Sequence, residues 1–230
     1  MLRAVPFAEA DAVVTLFTRA LGKASALARG ARKGGRRWAA ALEPMHTLRV
    51  ALDERPGAEL LALREASVVV PRLHVIADLD RMNAAGQALR WVRAGSPPRT
   101  PEPEVWAELD TLLARLDDLE DRIPPRTHLA ATGLRLLREF GYGLELDSCI
   151  RCGKRCAADR PAYVGAAQGG LVCQACGGGQ AGVHRLLEAA LRARLAAASS
   201  GRDAALLPED TDLARALVDE ALAAHAGVES

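Results

Sequence analysis

Four cysteines set in two Cys-x-x-Cys pairs are the residues of this chain best suited to chemistry: Cys149-Ile150-Arg151-Cys152 and Cys173-Gln174-Ala175-Cys176. Thiolates are preferred ligands of structural zinc, and a Cys-x-x-Cys turn sets two sulfurs on one side of an ion. Glycine follows each pair, Gly153 and Gly177, and can take the backbone angles such a turn needs. Between the pairs, Tyr163-Val164 reads as a short strand, and Gly169-Gly170 before Leu171-Val172 reads as a hairpin leading into the second pair. The spacing predicts one structural Zn²⁺ held by Cys149, Cys152, Cys173 and Cys176, with Cys156 left free. Buried small thiols without a metal are the alternative.

The second chemical feature is charge. The net charge is only +1, but Lys23, Arg29, Arg32, Lys33, Arg36 and Arg37 form a run without an acid, and Arg19 lies just before it. The balance reverses between Glu102 and Glu120, where seven acids face Arg115 alone. A neutral total thus hides a basic end suited to a polyanion and an acidic middle. Lysine occurs only at 23, 33 and 154, so arginine is the general cation of this alanine-rich chain and not every arginine is a contact.

Catalytic patterns are missing. No His-x-Glu precedes a Pro-Cys-x-x-Cys, as a zinc deaminase would need. His46, His74, His128, His184 and His225 are scattered without ligand spacing, which argues against an open hydrolytic zinc site. Gly22-Lys23 lacks the rest of a phosphate loop, and no Gly-x-Ser-x-Gly elbow occurs. Asp117-Asp118 and Glu120-Asp121 read as a solvated helix end. The expectation is a protein without catalytic turnover.

These features need elements to position them. The 230 residues suffice for one large domain or two small ones. Residues 12–18, 24–31, 47–52, 59–63 and 67–70 are strand candidates, with turns at Leu21-Gly22-Lys23 and Pro56-Gly57. Five short strands in about 75 residues suit a small barrel of the OB type. The segment Arg32-Lys33-Gly34-Gly35-Arg36-Arg37 is then a basic loop, and Phe17 and Trp38 are the nearby aromatics that could stack on bases. From Asp78 the apolar period becomes helical. Helices are predicted from Asp78 to the proline-rich loop at Ser96, then over 104–119, 127–140, 183–195 and 211–224, the last capped by Asp210 or Thr211. The fold class is therefore α+β and multidomain: an OB-fold barrel over 1–76, then an α-helical domain over 77–230 with a zinc module at about 147–180.

No apolar core follows a basic start, and no apolar run approaches the roughly 20 residues of a membrane span. A cytoplasmic protein is expected, in a compartment where thiols stay reduced and bind metal rather than pair.

The order of several short motifs resembles a known family. Arg3, Phe7-Ala8-Glu9-Ala10-Asp11, Thr15-Leu16-Phe17-Thr18, Gly22-Lys23, Ala28-Arg29-Gly30-Ala31-Arg32-Lys33 and Leu42-Glu43-Pro44 follow the opening pattern of the bacterial DNA repair family RecO. Leu136-Leu137, Gly141-Tyr142, Cys149-x-x-Cys152-Gly153 and Gly169-Gly170-Leu171-Val172-Cys173-x-x-Cys176 follow its C-terminal half. The resemblance implies an N-terminal OB domain whose first strand is here reduced to Met1–Val5, a helical domain and an embedded zinc module. It also implies a recombination mediator that binds single- and double-stranded DNA, anneals complementary strands, partners RecR and the tail of the single-stranded DNA-binding protein SSB, and helps load RecA. Lys23, Arg29, Arg32 and Lys33 fall on the matching positions and become DNA-contact candidates; Arg19, Arg36 and Arg37 join them by charge and proximity. The competing expectation is a protein-interaction adaptor, in which the zinc module and the helices bind a partner and DNA contact is incidental; docking of the acidic SSB tail needs an apolar pocket with a cation nearby.

Overall fold

The computed structural model describes residues 1–33, 38–54, 57, 59–202 and 205–226. Arg36 and Arg37 therefore lie outside the described residues, as does Pro56 of the expected turn. The chain folds as two compact units, Met1–Asp121 and Arg122–Ser230.

The first unit begins with five strands: β1 Arg3–Phe7, β2 Asp11–Thr18, β3 Gly22–Ala28, β4 Thr47–Asp53 and β5 Leu61–Val70. Their order is β1-β2-β3-β5-β4. The one parallel pairing among these strands, Ala26 with Leu61 and Leu27 with Ala62, joins β3 to β5. That order is the partly open Greek-key barrel of the OB fold, with β1 and β4 at its edges. Pro6 is tolerated because β1 is an edge strand, where a missing N–H breaks no inner ladder.

Period-2 alternation decides which side chains fill the barrel. Ala24, Ala26 and Ala28 point inward from β3 and meet Val14, Leu16, Leu61, Leu63 and Trp38. Alanine has weak strand propensity, but here its small side chain leaves room for the indole of Trp38, whose Nε1 donates to the Arg29 carbonyl at 2.9 Å. The expected strands 59–63 and 67–70 are one strand. Arg64 and Glu65 interrupt the apolar pattern because β5 leaves the core there and continues beyond it, paired only with β4 through two register shifts. Arg64 pairs with Asp53 on that ribbon at 2.6 Å.

Three helices complete the unit: α1 Leu73–Ala77, α2 Leu79–Gly95 and α3 Pro103–Asp117. The Asp78 side chain caps α2 by accepting from the Arg81 N–H. Several acids of the chain's middle are structural. Asp117 accepts from the backbone N–H of His74 and Val75 at the start of α1, so it is a cap rather than part of a solvated helix end. Asp110 accepts from Arg72 and from the Thr47 hydroxyl. Arg81 donates to the Leu116 and Asp118 carbonyls at the C-terminus of α3, where a cation is favoured.

In the first unit, Gly22 has no room for a side chain. Gly22 has φ +62°, and a Cβ there would stand 1.7 Å from the Thr100 carbonyl oxygen. The 98–100 loop lies on the start of β3, with the Arg99 N–H donating to the Lys23 carbonyl at 2.8 Å. Gly22→Ala is expected to cost at least ~2 kcal/mol, from left-handed strain plus displacement of this loop. Urea denaturation checks this, and an unchanged midpoint would mean that the loop does not press on β3.

The second unit holds α4 Pro125–Glu139, a four-stranded sheet, α5 Ala189–Ser199 and α6 Thr211–His225. The sheet has the order β6-β8-β7-β9, from β6 Glu145–Cys149, β7 Ala162–Gly165, β8 Gly170–Leu171 and β9 Arg185–Leu187. The expected helix 183–195 is corrected. Arg185–Leu187 pairs with β7, placing Leu187 opposite Ala162 in the core, and the helix starts only at Ala189. Cross-strand pairing over three residues outweighs local helix propensity. Asp210 stands at the N-cap position of α6 as expected, but its side chain does not cap that helix. Asp210 gives its carboxylate to Arg194 at 2.6 and 2.7 Å and to the Leu207 N–H, which holds its pKa below the ordinary carboxylate value; Thr211 donates to the Pro208 carbonyl. Helix α4 packs on α5 and α6, with Leu129, Leu134, Leu136 and Leu137 buried as expected. No helix among the described residues is long and apolar enough to cross a membrane.

Candidate functional site

The two Cys-x-x-Cys turns meet at one end of the β6-β8-β7-β9 sheet. Strand β6 ends on Cys149, and the first turn closes with the Gly153 N–H donating to the Cys149 carbonyl at 2.8 Å. Leu171 and Val172, both buried, bring the chain from β8 to Cys173, and a 3-10 turn over Gln174–Cys176 closes the second turn. Gly153 (φ +70°) and Gly177 (φ +90°) take the left-handed conformation at matching positions, as the sequence predicts. The Ile150 N–H donates to the Leu171 carbonyl at 2.8 Å, and Arg151 reaches the Cys176 carbonyl at 2.6 Å, fastening one turn to the other.

This scaffold brings the sulfurs of Cys149, Cys152, Cys173 and Cys176 within 4.8 Å of one another. Cys152 and Cys173 are 3.7 Å apart. A tetrahedral ion with metal–sulfur bonds of about 2.3 Å requires sulfurs about 3.8 Å apart. The four thiols therefore fit one tetrahedral, thiophilic ion. The N–H groups of Cys173 and Cys152 pull the Cys149 thiol down to about 6, favouring its thiolate. Hydrogen bonds from the Cys176 thiol to Cys173 and Cys152 favour its protonated form and push Cys176 up to about 12, with repulsion from the Cys152 charge a lesser cause. A divalent cation removes that repulsion. Cys156 lies outside the group, and burial raises its pKa.

The basic candidates separate into two groups. Arg29, Arg32 and Lys33 are exposed on the turn after β3, beside the β1–β2 turn; Arg32 donates to the Ala8 carbonyl at 3.3 Å, and its N–H to that of Ala10 at 2.9 Å. None of the three makes an ion pair with a described residue. Arg19 and Lys23 stand at the other end of β3, about 20 Å away at ~3.3 Å per residue. Lys23 is half-buried. Its ammonium donates to the Arg93 carbonyl at 2.6 Å in the last turn of α2, and burial lowers its pKa. It holds a helix end before it can meet a ligand. Arg19 lies over the Trp106 ring, 3.9 Å from the centroid.

The expected stacking aromatics are corrected as well. Trp38 is 3% exposed in the barrel core and Phe17 is 9% exposed, so neither offers a free face to a base. The partly exposed aromatic beside a cation is Trp106 on α3, which a sequence reading has no signal for, since it is far from the basic run. With Phe17, Leu89, Leu109 and Leu113 it lines a groove of about 490 Å³ that carries Arg19 and Arg49.

The family model "Recombination protein O N terminal" matches residues 1–72, and "Recombination protein O C terminal" matches residues 76–229. The chain is 39% identical to the DNA repair protein RecO of Anaeromyxobacter dehalogenans over 231 aligned residues, all of this chain and 84% of that protein. It is 35% identical to that of Geobacter metallireducens, across 98% of this chain and 89% of the relative. With that of Myxococcus xanthus the identity is 36%, across 99% and 90%.

Proposed function

From the premise that the chain belongs to the RecO family of DNA repair proteins, we propose that it is a non-catalytic recombination mediator. It binds single- and double-stranded DNA through phosphate contacts, anneals complementary strands, and helps load RecA onto SSB-coated strands in the RecF pathway. The observation that carries this reading is the exposed group Arg29, Arg32 and Lys33, without acidic partners among the described residues, on an OB barrel. Such cations displace counterions from a nucleic-acid backbone without reading bases. Two polyanions held loosely on one such surface repel each other less, and base pairing then drives annealing. Arg36 and Arg37 extend the same run in sequence; Lys23 supports it from the far end of β3. The barrel domain is proposed as 1–76 and the helical domain as 77–230; the two family models meet between residues 72 and 76, whereas compactness divides the chain after Asp121.

The ion at Cys149, Cys152, Cys173 and Cys176 is proposed to be one structural Zn²⁺. A closed set of four thiolates leaves no open position for a substrate, so the ion braces the fold. RecR and RecA are proposed as partners from family membership alone. The acidic, apolar tail of SSB has a matching seat in the groove beside Trp106, where Arg19 and Arg49 supply cations and Phe17, Leu109 and Leu113 an apolar floor. The same groove favours the adaptor reading, in which peptide docking is the sole activity. Fluorescence polarisation separates the two. A labelled oligonucleotide should bind with affinity that falls steeply with salt. Binding of an acidic peptide with no oligonucleotide binding at low salt would leave the adaptor alone standing.

A further inference from the structure

The outward face of β1–β3 carries a row of polar side chains that the basic run in the sequence does not include. Arg3 faces Thr15 across the β1–β2 ladder, and Thr15 faces Ser25 across the β2–β3 ladder. Directly opposed residues point to the same side of a sheet. Their neighbours Val14, Ala24 and Ala26 point into the core, so Arg3, Thr15 and Ser25 point out. Thr15, Ser25, Lys23, Arg93 and Arg99 line one groove of about 310 Å³.

The charges in and around this groove do not cancel. Arg99 pairs with Glu54 at 2.6 Å, and Glu102 acts on Lys23. Glu59 also lines the groove. Arg3 and Arg93 have no acidic partner among the described residues. They are nonetheless close enough that Arg3 and Arg90 lower the pKa of Arg93, second to burial as a cause. Arg90 is held by the Gln87 side chain one turn earlier on α2. Neither the Thr15 nor the Ser25 hydroxyl makes a hydrogen bond with a described residue. Like charges gathered around unpaired hydroxyl donors carry a cost in the free protein that a bound anion relieves. Lys23 fixes the arrangement by tying the Arg93 carbonyl to β3.

We propose that this groove seats a phosphodiester of a single strand, with Arg3 and Arg93 as the charged contacts and Thr15 and Ser25 as hydroxyl donors. Lys23, from the far basic group, lines the groove, and Ser25 stands on β3 between Lys23 and Arg29, so a strand running along the outward face from Arg29, Arg32 and Lys33 would reach Arg93. The inference rests on the DNA-binding reading above and adds to it the residues of a second contact region.

The test is the full-length Arg3→Gln/Arg93→Gln variant, assayed with a labelled oligothymidine across a salt series beside the wild type. Loss of two phosphate contacts should lower the slope of log affinity against log salt by about 1.4, from ~0.7 per contact on single strands. Thermal stability should hold or rise, since the substitutions remove a like-charge cluster. An unchanged slope, with the wild type binding normally, overturns this groove and leaves the basic group around Arg32 intact. A wild type that does not bind the oligonucleotide overturns both. Displacement of the oligonucleotide by millimolar inorganic phosphate at matched ionic strength would reassign the groove to a small anion and overturn the polymer assignment.

Discussion

Purified wild-type protein is expected to carry one zinc per chain, and Cys173→Ser to carry essentially none. Cys173 sits where both turns depend on it. Its sulfur faces Cys152 at 3.7 Å, its N–H donates to the Cys149 sulfur at 3.3 Å, and its carbonyl accepts from Cys176 and Gly178. Structural zinc sites of this kind contribute about 10–16 kcal/mol of apparent binding energy at neutral pH, and because the site forms only with the fold this is folding energy. The sheet beneath is short, with strands of two to five residues, and cannot replace it. Loss of even 2 kcal/mol from a unit of about 100 residues lowers its melting temperature by roughly 10 °C, so a larger drop is expected here. Cys156→Ser should keep its zinc, since its sulfur lies outside the group. Elemental analysis with thermal melting measures both. A zinc-free wild type of full stability would remove the metal from the account.

Charge reversal at Arg32 and Lys33 is expected to weaken DNA binding by at least ~10-fold at low salt, equally for oligonucleotides of different sequence. Both side chains are exposed and pair with no carboxylate among the described residues. Replacing them by glutamate removes two contacts and adds two repulsions, so the salt slope should fall by about 1.4 or more on single strands. The fold should be little affected. Among the described residues, the one side-chain bond lost is the 3.3 Å contact from Arg32 to the Ala8 carbonyl, and exposed substitutions of this sort shift stability by within about 0.5 kcal/mol. Unchanged affinity at low salt would rule out this end of the barrel as the binding surface. Weakening confined to one sequence would show base readout, which phosphate contacts do not provide.

The chemical sites were legible in the sequence to unequal degrees. The metal group is local in character. Two short turns, each with its ligands three residues apart and a glycine behind, can be recognised without knowing the fold, and the sheet has only to bring two such turns together. The basic run is local in sequence but not in space. Adjacency along β3 suggested one cluster, yet an extended strand carries Lys23 about 20 Å from Arg29, and Lys23 turns its ammonium to the end of α2. Trp38 looked available because it follows basic residues, and it is buried because the alanines of β3 leave it space.

Residue types and short-range spacing alone determined the four-thiolate group, the change from strand period to helical period near Asp78, and membership in the family. The first two depend on spacings only a few residues long, and the third on the order of such short motifs along the chain. Tertiary structure decided which cations stay free, which aromatic faces the solvent, that residues 61–70 form one strand, and that Arg185–Leu187 joins a sheet before the helix begins. It alone set Arg3, Thr15, Ser25 and Arg93 around one groove. Strand register and helix docking join residues up to 90 positions apart. That pairing energy is absent from any local window, so no periodicity within the chain could have shown it.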